Sequence, residues 1–593
     1  MVTWPLARDL SHNVAGDFGD PLFNSWALAW DATHLFGRGW WNANIFSPQP
    51  LALAYSDHLA AQALQVLPIY RWSGNPILSY NVALLATFVL SGVGMFLLAR
   101  DLTGSRSAAW VAGLAYAFTP YRIGALAHLT VLSSAWMPFV LLGFRRYFET
   151  RHVLPLACAA LAWILQNLSS GYYLLFFSPV VALYLAWEIA TRSLWRSPRA
   201  LVPVGVACLV AIGVTTPFVL PYIELRRLGF DSRSLAETQQ FSADVYGYLT
   251  ADIHLWLWGS TFRAWPRAEG SLFPGLTVTA LAALAVLRTS RPIVFAPLAV
   301  LVPLLMGVTI RLPGLRIGSL SRSLIVVGAV AIVWLALRRP ARRGAVAWLA
   351  SPIGFFALIT VFAIVMSFGP EIRARGRVVL DTNLYAFFYR FVPGFDGLRV
   401  PARFAMIAAL GLATLCAFGL AALRNRVVTA LAALLVVAET LGLPVPLNLN
   451  SSDRDYVRAG LTSLPPLQRT APSIYRSVAR LPESAIVLEL PLGEPAFDLR
   501  YMFFSTTHWK RLVNGYSGGF PDEYERLDQA LQDVLIRPDR TWDVLRATSR
   551  PSHIVVHERY FTGDRGAQVT AWVRRHGGRE IAVADSDRLF EMH

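Results

Sequence analysis

Cysteine is scarce in this sequence, which has three in 593 residues. Cys158, Cys208 and Cys416 all fall inside apolar segments, where they can neither cross-link an extracytoplasmic domain nor form a spaced metal site. A GxxxxGK[ST] nucleotide loop, an HExxH motif and a CxxC motif are also missing. These absences exclude a disulfide scaffold and a structural zinc site, and they disfavour an ATP-driven pump.

Charged residues are few as well, at 15% of the chain, whereas hydrophobic residues make up 55%. The mean hydropathy of +0.45 is far above that of a soluble domain of this size. The sequence therefore predicts a polytopic membrane protein. Its formal charge of +16 is almost entirely due to arginine, and the positions of those arginines indicate membrane topology rather than a nucleic-acid partner.

Apolar runs of about 17 to 25 residues, long enough to cross a bilayer as a helix, recur along the chain. They predict about twelve spans, at 78–100, 107–120, 130–148, 153–170, 171–190, 200–220, 271–288, 292–309, 322–338, 346–368, 402–423 and 427–446. Alternate connections carry arginines, which the positive-inside rule assigns to the cytoplasm. These are Arg100, Arg106, Arg145, Arg146, Arg151, Arg192, Arg196, Arg199, Arg288, Arg291, Arg338, Arg339, Arg342, Arg343, Arg424 and Arg426.

The remaining connections are therefore extracytoplasmic, and the chain divides into three regions. We predict a first extracytoplasmic loop at 1–77, a transmembrane domain at 78–446 with extracytoplasmic loops at 221–270 and 369–401, and an extracytoplasmic soluble domain at 447–593. The last region alternates short strand-like pieces with helical stretches, which predicts an α/β or α+β domain.

The N-terminal segment MVTWPLARDL is too short to span and lacks the basic start and apolar core of a signal peptide. We expect VTWPL to be the outer end of a truncated first transmembrane helix. The alternative is an N-terminus translocated without a preceding helix.

Two aspartates stand at the start of the first loop, in AGDFGDPLFNSWALAWD at 15–31. Asp17 and Asp20 lie in a Gly/Pro-rich turn that runs into aromatic residues suited to the membrane interface. Carboxylates at this position suit a general base or a cation site for a lipid-borne substrate. The alternative is ordinary turn chemistry, in which aspartate is common.

Four segments carry a resemblance to a known superfamily: GDPLFNSWALAWD, SDHLAAQALQVLPIY, AFTPYRIGALAHL and VPGFDGLRVPARF. With the long first loop, many helices and a C-terminal extracytoplasmic domain, they resemble the GT-C superfamily of membrane glycosyltransferases. That superfamily includes protein O-mannosyltransferases, oligosaccharyltransferases and the aminoarabinose transferase of lipid A. The likeness is closest to bacterial multi-spanning members whose substrates are unassigned.

The resemblance implies a polyprenyl-phosphate sugar as donor and an acid of the first loop as catalytic base or metal-binding group. Because Asp17-Phe18-Gly19-Asp20 departs from a compact Asp-x-Asp, only the acidic role is carried over, to Asp20 first and Asp17 second. Metal ligands stay unassigned, with a divalent cation as a candidate cofactor. The other implied partners are a lipid, glycan or protein acceptor and the bilayer, with no nucleic acid.

Cationic residues at the outer ends of the predicted spans are candidate ligands of the lipid phosphate. Arg122 and His128 lie together in TPYRIGALAHL, and Arg399 and Arg403 lie in LRVPARF. An arginine can bind a phosphate with two parallel hydrogen bonds. For each arginine the alternative is simple anchoring of a helix at the headgroups.

A second acid–base pair, Asp57 and His58, lies in the first loop and suits acceptor or cation binding, since neutral imidazole can serve both. The alternative is a solvated turn or a helix cap. Tyr172 is suited to stacking on a sugar, and Glu439 is an acid inside a span.

The sequence predicts a polytopic α-helical, GT-C-like protein of the inner (plasma) membrane. The expected function is transfer of a sugar from a polyprenyl-phosphate donor to a cell-envelope acceptor on the extracytoplasmic face. The alternative is a non-catalytic transporter or assembly factor for envelope lipids or glycans. A transporter should carry polar residues in mid-membrane along several spans, whereas the candidate charges here lie at the outer span ends.

Overall fold

The fold is known from a computed structural model, which describes residues 3–37, 39–289, 296–312, 315–442, 444–449, 460–462, 467 and 470–592. Most of these residues are helical. The first half of the chain forms α1 (Asp20–His34), α2 (Ala60–Ser73), α3 (Pro76–Thr103), α4 (Arg106–Ala117), α5 (Pro120–Gly124), α6 (Leu129–Leu132), α7 (Met137–Thr150), α8 (Val153–Asn167), α9 (Gly171–Thr191), α10 (Pro198–Arg227) and α11 (Leu235–Gln240).

The second half of the transmembrane region adds eight more helices within the described residues. They are α12 (Leu276–Thr289), α13 (Ala296–Leu305), α14 (Leu320–Leu337), α15 (Arg339–Leu349), α16 (Pro352–Ser367), α17 (Leu384–Phe391), α18 (Ala405–Leu423) and α19 (Arg426–Thr440). Two short hairpins, β1 (Ile310–Leu312) with β2 (Leu315–Ile317) and β3 (Ile372–Ala374) with β4 (Arg377–Leu380), interrupt them.

Each predicted span contains one of these helices. Within the described residues, five helical segments are long and apolar enough to cross a membrane: α3, α9, α10, α14 and Pro401–Leu423, which contains α18. The consecutive helices α15 and α16 make a sixth candidate that is bent by 79°. The structure thus confirms a helical membrane protein with several apolar helices, and α8 and α12 are apolar but shorter.

Local sequence explains where the helices begin and end. The Asn75 side chain accepts a hydrogen bond from Leu78 N at 2.9 Å and caps α3, and Ser105 caps α4 in the same way. Gly104, with φ +69°, ends α3 in the left-handed conformation that glycine adopts readily. Before α1, Leu6–Arg8 form a 3-10 helix, and the predicted helix end at VTWPL stays a prediction, with Val2 outside the described residues.

One end of the helical bundle holds a network of paired charges. Asp101, near the end of α3, accepts a hydrogen bond from Arg145 Nε of α7 at 2.7 Å and also contacts Arg146. Arg192, after α9, contacts Glu188 at 2.5 Å. Three arginine-bearing connections of the sequence therefore meet at one end, as the alternation of arginine-rich and arginine-poor connections predicts.

The C-terminal region is a mixed sheet flanked by helices. Its helices are α20 (Ile474–Ala479), α21 (Pro495–Ser505), α22 (Asp522–Gln532), α23 (Pro538–Thr548) and α24 (Arg565–Arg575). Its strands are β5 (Ile486–Leu490), β6 (Arg511–Leu512), β7 (His553–His557), β8 (Gly578–Ala584) and β9 (Asp587–Met592), in the order β6-β5-β7-β9-β8. β5 runs parallel to β6 and β7, whereas β9 is antiparallel to β7 and β8. The predicted C-terminal sheet domain is confirmed.

This domain is joined to the first loop by main-chain hydrogen bonds. Leu512 N donates to Asn44 O at 2.8 Å, and Ser47 N donates to Leu512 O at 2.8 Å. Residues 44–47 therefore lie along β6 as an added edge segment. The glycine-rich turn at 515–519 packs in the same contact, because a Cβ on Gly515 would lie 2.5 Å from the Phe46 ring.

Candidate active site

Asp20 is the first residue of α1, and its side chain meets His128 from a distant loop. Asp20 Oδ2 lies 2.5 Å from His128 Nδ1. The two side chains remain 36% and 35% exposed, respectively, so this pair is open to a substrate. His128 is held in place by its own local structure, as the residue that immediately precedes α6.

The turn before α1 is fixed by the chain that follows α19. Gly16 N donates to Pro446 O at 2.8 Å and Phe18 N donates to Leu449 O at 3.1 Å. The exposed Asp17 side chain stays within its own turn, where its Oδ1 accepts a hydrogen bond from Gly19 N at 2.8 Å. Asp17 thus makes the turn contact that the alternative interpretation expects, and it contributes no described contact to His128.

A buried arginine–glutamate pair lies within electrostatic reach of Asp20 and His128. Arg403 Nη2 donates to Glu269 Oε1 at 2.8 Å, and the two side chains are 11% and 13% exposed. The Arg403 guanidinium also covers the Tyr172 ring at 4.5 Å. Among the described residues, buried Arg403 Nε has no hydrogen-bond partner, so a donor group is left available beside the pair.

Glu269 was not singled out by the sequence. It lies in the loop between α11 and α12 with φ +53°, a left-handed conformation that is uncommon for a residue other than glycine. Backbone strain of this kind collects at functional sites. One acid before a glycine in a polar loop gives no signal in a single sequence, so only the fold reveals that it pairs with Arg403.

The charges in this cluster shift one another's pKa values. Burial alone would raise the pKa of Asp20, but His128, Arg403 and Arg399 outweigh it and lower that pKa below its ordinary value. Burial would lower the pKa of His128, but Asp20 and then Glu269 outweigh it, against Arg403, and raise that pKa. The pKa of Glu269 is lowered in spite of burial, because Arg403 and His128 stabilise its anion.

Asp57 lies close to the cluster but has a structural contact. Its Oδ1 accepts a hydrogen bond from Gly171 N at 2.9 Å, and its Oδ2 accepts one from Ser170 Oγ at 3.3 Å, so it caps the start of α9. Burial raises the pKa of Asp57, against Gly171 N and Arg403. The helix-cap alternative describes this contact, and the cap belongs to a helix far along the chain.

His58 lies in an aromatic pocket. Its ring lies 5.4 Å from Phe218, 5.6 Å from Trp41 and 5.9 Å from Trp40, measured between centroids. Burial lowers the pKa of His58 to about 4, so the imidazole is neutral at physiological pH. The structure does not bring it to the Asp20 cluster.

Arg122 is not brought to the cluster either, because its side chain is fully buried. Its guanidinium donates to the hydroxyl oxygens of Thr87, Ser91 and Ser134 at 2.9, 3.2 and 3.2 Å and lies over the Phe88 ring at 4.7 Å. Arg122 is the third residue of the short helix α5. The predicted contact with a lipid phosphate stays a prediction that this conformation does not favour.

Arg399 and Glu439 differ in how far their side chains are engaged by neighbouring residues. Arg399 lies 3.9 Å from Glu237 and over the Phe241 ring at 5.1 Å, with 38% of its side chain exposed. Glu439 accepts hydrogen bonds from Thr277 N and Thr277 Oγ1 at 3.0 and 2.8 Å, which caps α12. Arg399 is therefore available to a ligand, whereas Glu439 is a cap.

A divalent cation does not fit the donors gathered here. Across the part of the chain that the structure describes, no group of three His, Cys, Asp or Glu side chains is arranged to hold a metal ion. Asp20 is engaged by His128, and Arg403 and Arg399 place positive charge beside it, which opposes a second cation. We therefore derive no step through a metal.

These features define a class of protein: a multi-pass helical membrane protein with an open carboxylate–imidazole pair, flanked by arginines, on a loop tied to a C-terminal sheet domain. The four segments that carry the GT-C resemblance converge here, since Asp20, Asp57, His128 and Arg403 each come from a different one.

No family model and no curated protein matches this sequence. Among solved structures, the chain is similar to ArnT from Cupriavidus metallidurans in the apo state, with 15% identity, TM-score 0.38, and coverage of 99% of this chain and 95% of that one. ArnT bound to undecaprenyl phosphate gives 16% identity, TM-score 0.38 and coverage of 99% and 96%. The Archaeoglobus fulgidus oligosaccharyltransferase gives 12% identity, TM-score 0.37 and coverage of 95% and 69%.

The TM-scores lie below 0.5 and the identities below 25%, so these similarities assign no function to this chain.

Proposed function

We propose that this protein is a membrane glycosyltransferase that transfers a sugar from a polyprenyl-phosphate donor to a hydroxyl of a cell-envelope acceptor, on the extracytoplasmic face. The observation that carries the proposal is the half-exposed Asp20–His128 pair beside Arg403 and Arg399. The donor class comes from the sequence resemblance. The chemistry comes from the cluster itself.

Transfer to a hydroxyl needs a group that takes the hydroxyl proton, and the Asp20–His128 pair supplies one. The acceptor oxygen then bonds to the anomeric carbon of the sugar as the bond from that carbon to the phosphate oxygen breaks. The electron pair of the broken bond stays on the phosphate, whose extra negative charge needs fixed cations nearby. Arg403 and the half-exposed Arg399 are suited to that task.

Arg403 is positioned before any substrate arrives. Its contact with Glu269 and its stacking on Tyr172 hold the guanidinium in one orientation, and its Nε remains a free donor among the described residues. A cation that is already oriented costs little reorganisation when the phosphate leaves. Tyr172 adds an aromatic face next to it, which suits contact with a sugar ring.

The test is a comparison of envelope glycans and lipid-linked sugars between a deletion strain and strains that carry the wild type, Asp20→Asn or Asp17→Asn. We expect the deletion and Asp20→Asn strains to accumulate one polyprenyl-phosphate sugar and to lose one glycan modification. Asp17→Asn is the matched control, with a milder effect because Asp17 only closes its own turn. Unchanged lipid-linked sugars in the deletion strain would contradict the proposal, and full function of Asp20→Asn would favour the transporter alternative.

The orientation in the membrane has its own test. A reporter that is active only outside the cytoplasm should work when fused after residue 593, and one that is active only inside should work near Arg342. The reverse pattern would place the cluster in the cytoplasm, where an extracytoplasmic acceptor could not reach it.

A further inference from the structure

His128 offers a free ring nitrogen to the site. Its Nδ1 contacts Asp20 Oδ2 at 2.5 Å, and no hydrogen bond to its Nε2 is formed by any residue that the structure describes. The side chain is 35% exposed. The ring is therefore partly accessible and keeps one nitrogen without a hydrogen bond among the described residues.

A carboxylate on one imidazole nitrogen determines what the other nitrogen can do. Asp20 accepts a hydrogen bond most favourably when Nδ1 carries a proton, and in neutral histidine this leaves the lone pair on Nε2. The same arrangement, a base oriented by a third group, marks activated sites in general. Asp20 cannot rotate freely to meet an acceptor without giving up this contact.

We propose that His128 Nε2 takes the proton from the acceptor hydroxyl and that Asp20 is the positioning residue that orients His128. This inference rests on the proposed function and assigns the proton within it. The O–H bond of the acceptor breaks as its proton moves to Nε2, the acceptor oxygen bonds to the anomeric carbon, and the carbon–phosphate oxygen bond breaks with its electron pair on the phosphate. His128 afterwards returns the proton to water.

The charges around the two groups favour the same division of roles. Asp20 faces His128, Arg403 and Arg399, and its lowered pKa makes it a weak base. His128 faces Asp20, Glu269 and Arg403, and its pKa is raised above 6.5, which brings it closer to physiological pH. A base is most effective when its pKa lies near the pH at which it works.

The first experiment needs no substrate. Diethyl pyrocarbonate acylates neutral, accessible imidazole. The intact purified chain is labelled, and mass spectrometry of its fragments then reports the rate at each histidine. We expect the rate at His128 to rise about tenfold per pH unit from pH 5 and to level off above 6.5. In Asp20→Asn the curve should shift to lower pH, because the anion that raises the His128 pKa is gone.

His557 is the internal control, since both of its ring nitrogens are bonded and 1% of its side chain is exposed. It should stay unmodified while the protein is folded. No reaction of His128 at pH 8 would show that Nε2 is blocked and would overturn the proposal, whatever the fate of the glycosyltransferase assignment.

The second experiment uses the deletion strain, complemented with His128→Gln or His128→Asn. Each variant should lose at least 100-fold of the glycan modification while inserting normally in the membrane. Normal modification by both variants, together with failure of Asp20→Asn, would return the base to Asp20 and overturn the proposal. A deletion strain with unchanged glycans would refute the proposed function and leave the labelling result standing.

Discussion

His128 and His557 both contact carboxylates, in different regions and with different consequences. His128, at the end of the bundle that holds the candidate site, uses one ring nitrogen and stays 35% exposed. His557, in β7, contacts Glu489 through Nε2 and Asp587 through Nδ1, both at 2.9 Å, with 1% exposed. The His128 ring therefore keeps one nitrogen that a ligand could bind, whereas both ring nitrogens of His557 are already bonded.

The two histidines share the direction of their pKa shift and differ in their exposure. Neighbouring carboxylates stabilise the protonated form of both imidazoles, so the pKa of each is raised. In the sheet domain the charge is enclosed, with the Tyr501 ring stacked at 5.1 Å and the Tyr475 hydroxyl on Glu489. The His557 cluster is therefore enclosed within the domain, whereas the His128 cluster is partly exposed.

The largest effect should come from Asp20→Asn. The amide keeps the shape of the side chain but loses the charge that orients and polarises His128, so transfer should fall on the order of 100-fold or more. The measurement is turnover of the accumulated donor by purified protein. The melting temperature should hardly change, because the side chain is half exposed, and a loss of activity explained by unfolding would count against the assignment.

Glu489→Gln tests the buried His557 cluster of the sheet domain. Removing the charge under His557 should lower the free energy of unfolding by about 2 kcal/mol, because a buried imidazolium loses one of its two carboxylate partners. Denaturant unfolding of the full chain in detergent measures it. Turnover per folded molecule should match the wild type, and a selective loss of turnover would mean that the sheet domain takes part in the reaction.

Arg403→Lys and Arg559→Lys form a matched pair at the two clusters. Lysine keeps the charge but not the planar fork of arginine, so Arg403→Lys should raise the donor KM about tenfold, or about 1.4 kcal/mol. Arg559 lies 3.4 Å from Asp587 at the edge of the His557 cluster and is 29% exposed, so its replacement should leave KM unchanged. Equal KM values for the two variants would remove Arg403 from the donor site.

The smallest expected effect is the change in the free energy of unfolding per pH unit. The folded pKa of His557 is raised from 6.5 to about 9, with the contacts to Asp587 and Glu489 outweighing burial. The stabilisation is therefore fully present below pH 6.5 and is lost as pH rises toward about 9, by at most about 1.4 kcal/mol per pH unit. Unfolding midpoints measured at intervals over this range should fall in the wild type and less in His557→Gln.

Hydropathy and arginine spacing predict the helical part of the fold well, because helix positions follow from local composition. The predicted runs each contain a helix, and three of the arginine-bearing connections meet at one end through Asp101 and Glu188. The number of spans is less accessible, because breaks such as the 79° bend between α15 and α16 depend on packing.

The candidate site was only partly predictable. Residue type and position predict Asp20, His128 and Arg403, which lie within electrostatic reach of one another. Arg122 and His58 have equally suitable chemistry, but hydroxyls enclose the first and aromatic rings the second. Local sequence does not encode which way a side chain turns at a helix end, and for the same reason Glu269 could not be found.

The edge segment at 44–47 has a consequence for how the protein is made. Asn44 donates to Lys510 O across 466 residues of chain, so its partner strand leaves the ribosome only after every transmembrane helix has been synthesised. During most of translation, residues 44–47 have no partner strand. The contact between residues 44–47 and β6 is therefore a late event, and a ribosome that stalls before β6 leaves residues 44–47 without their partner strand.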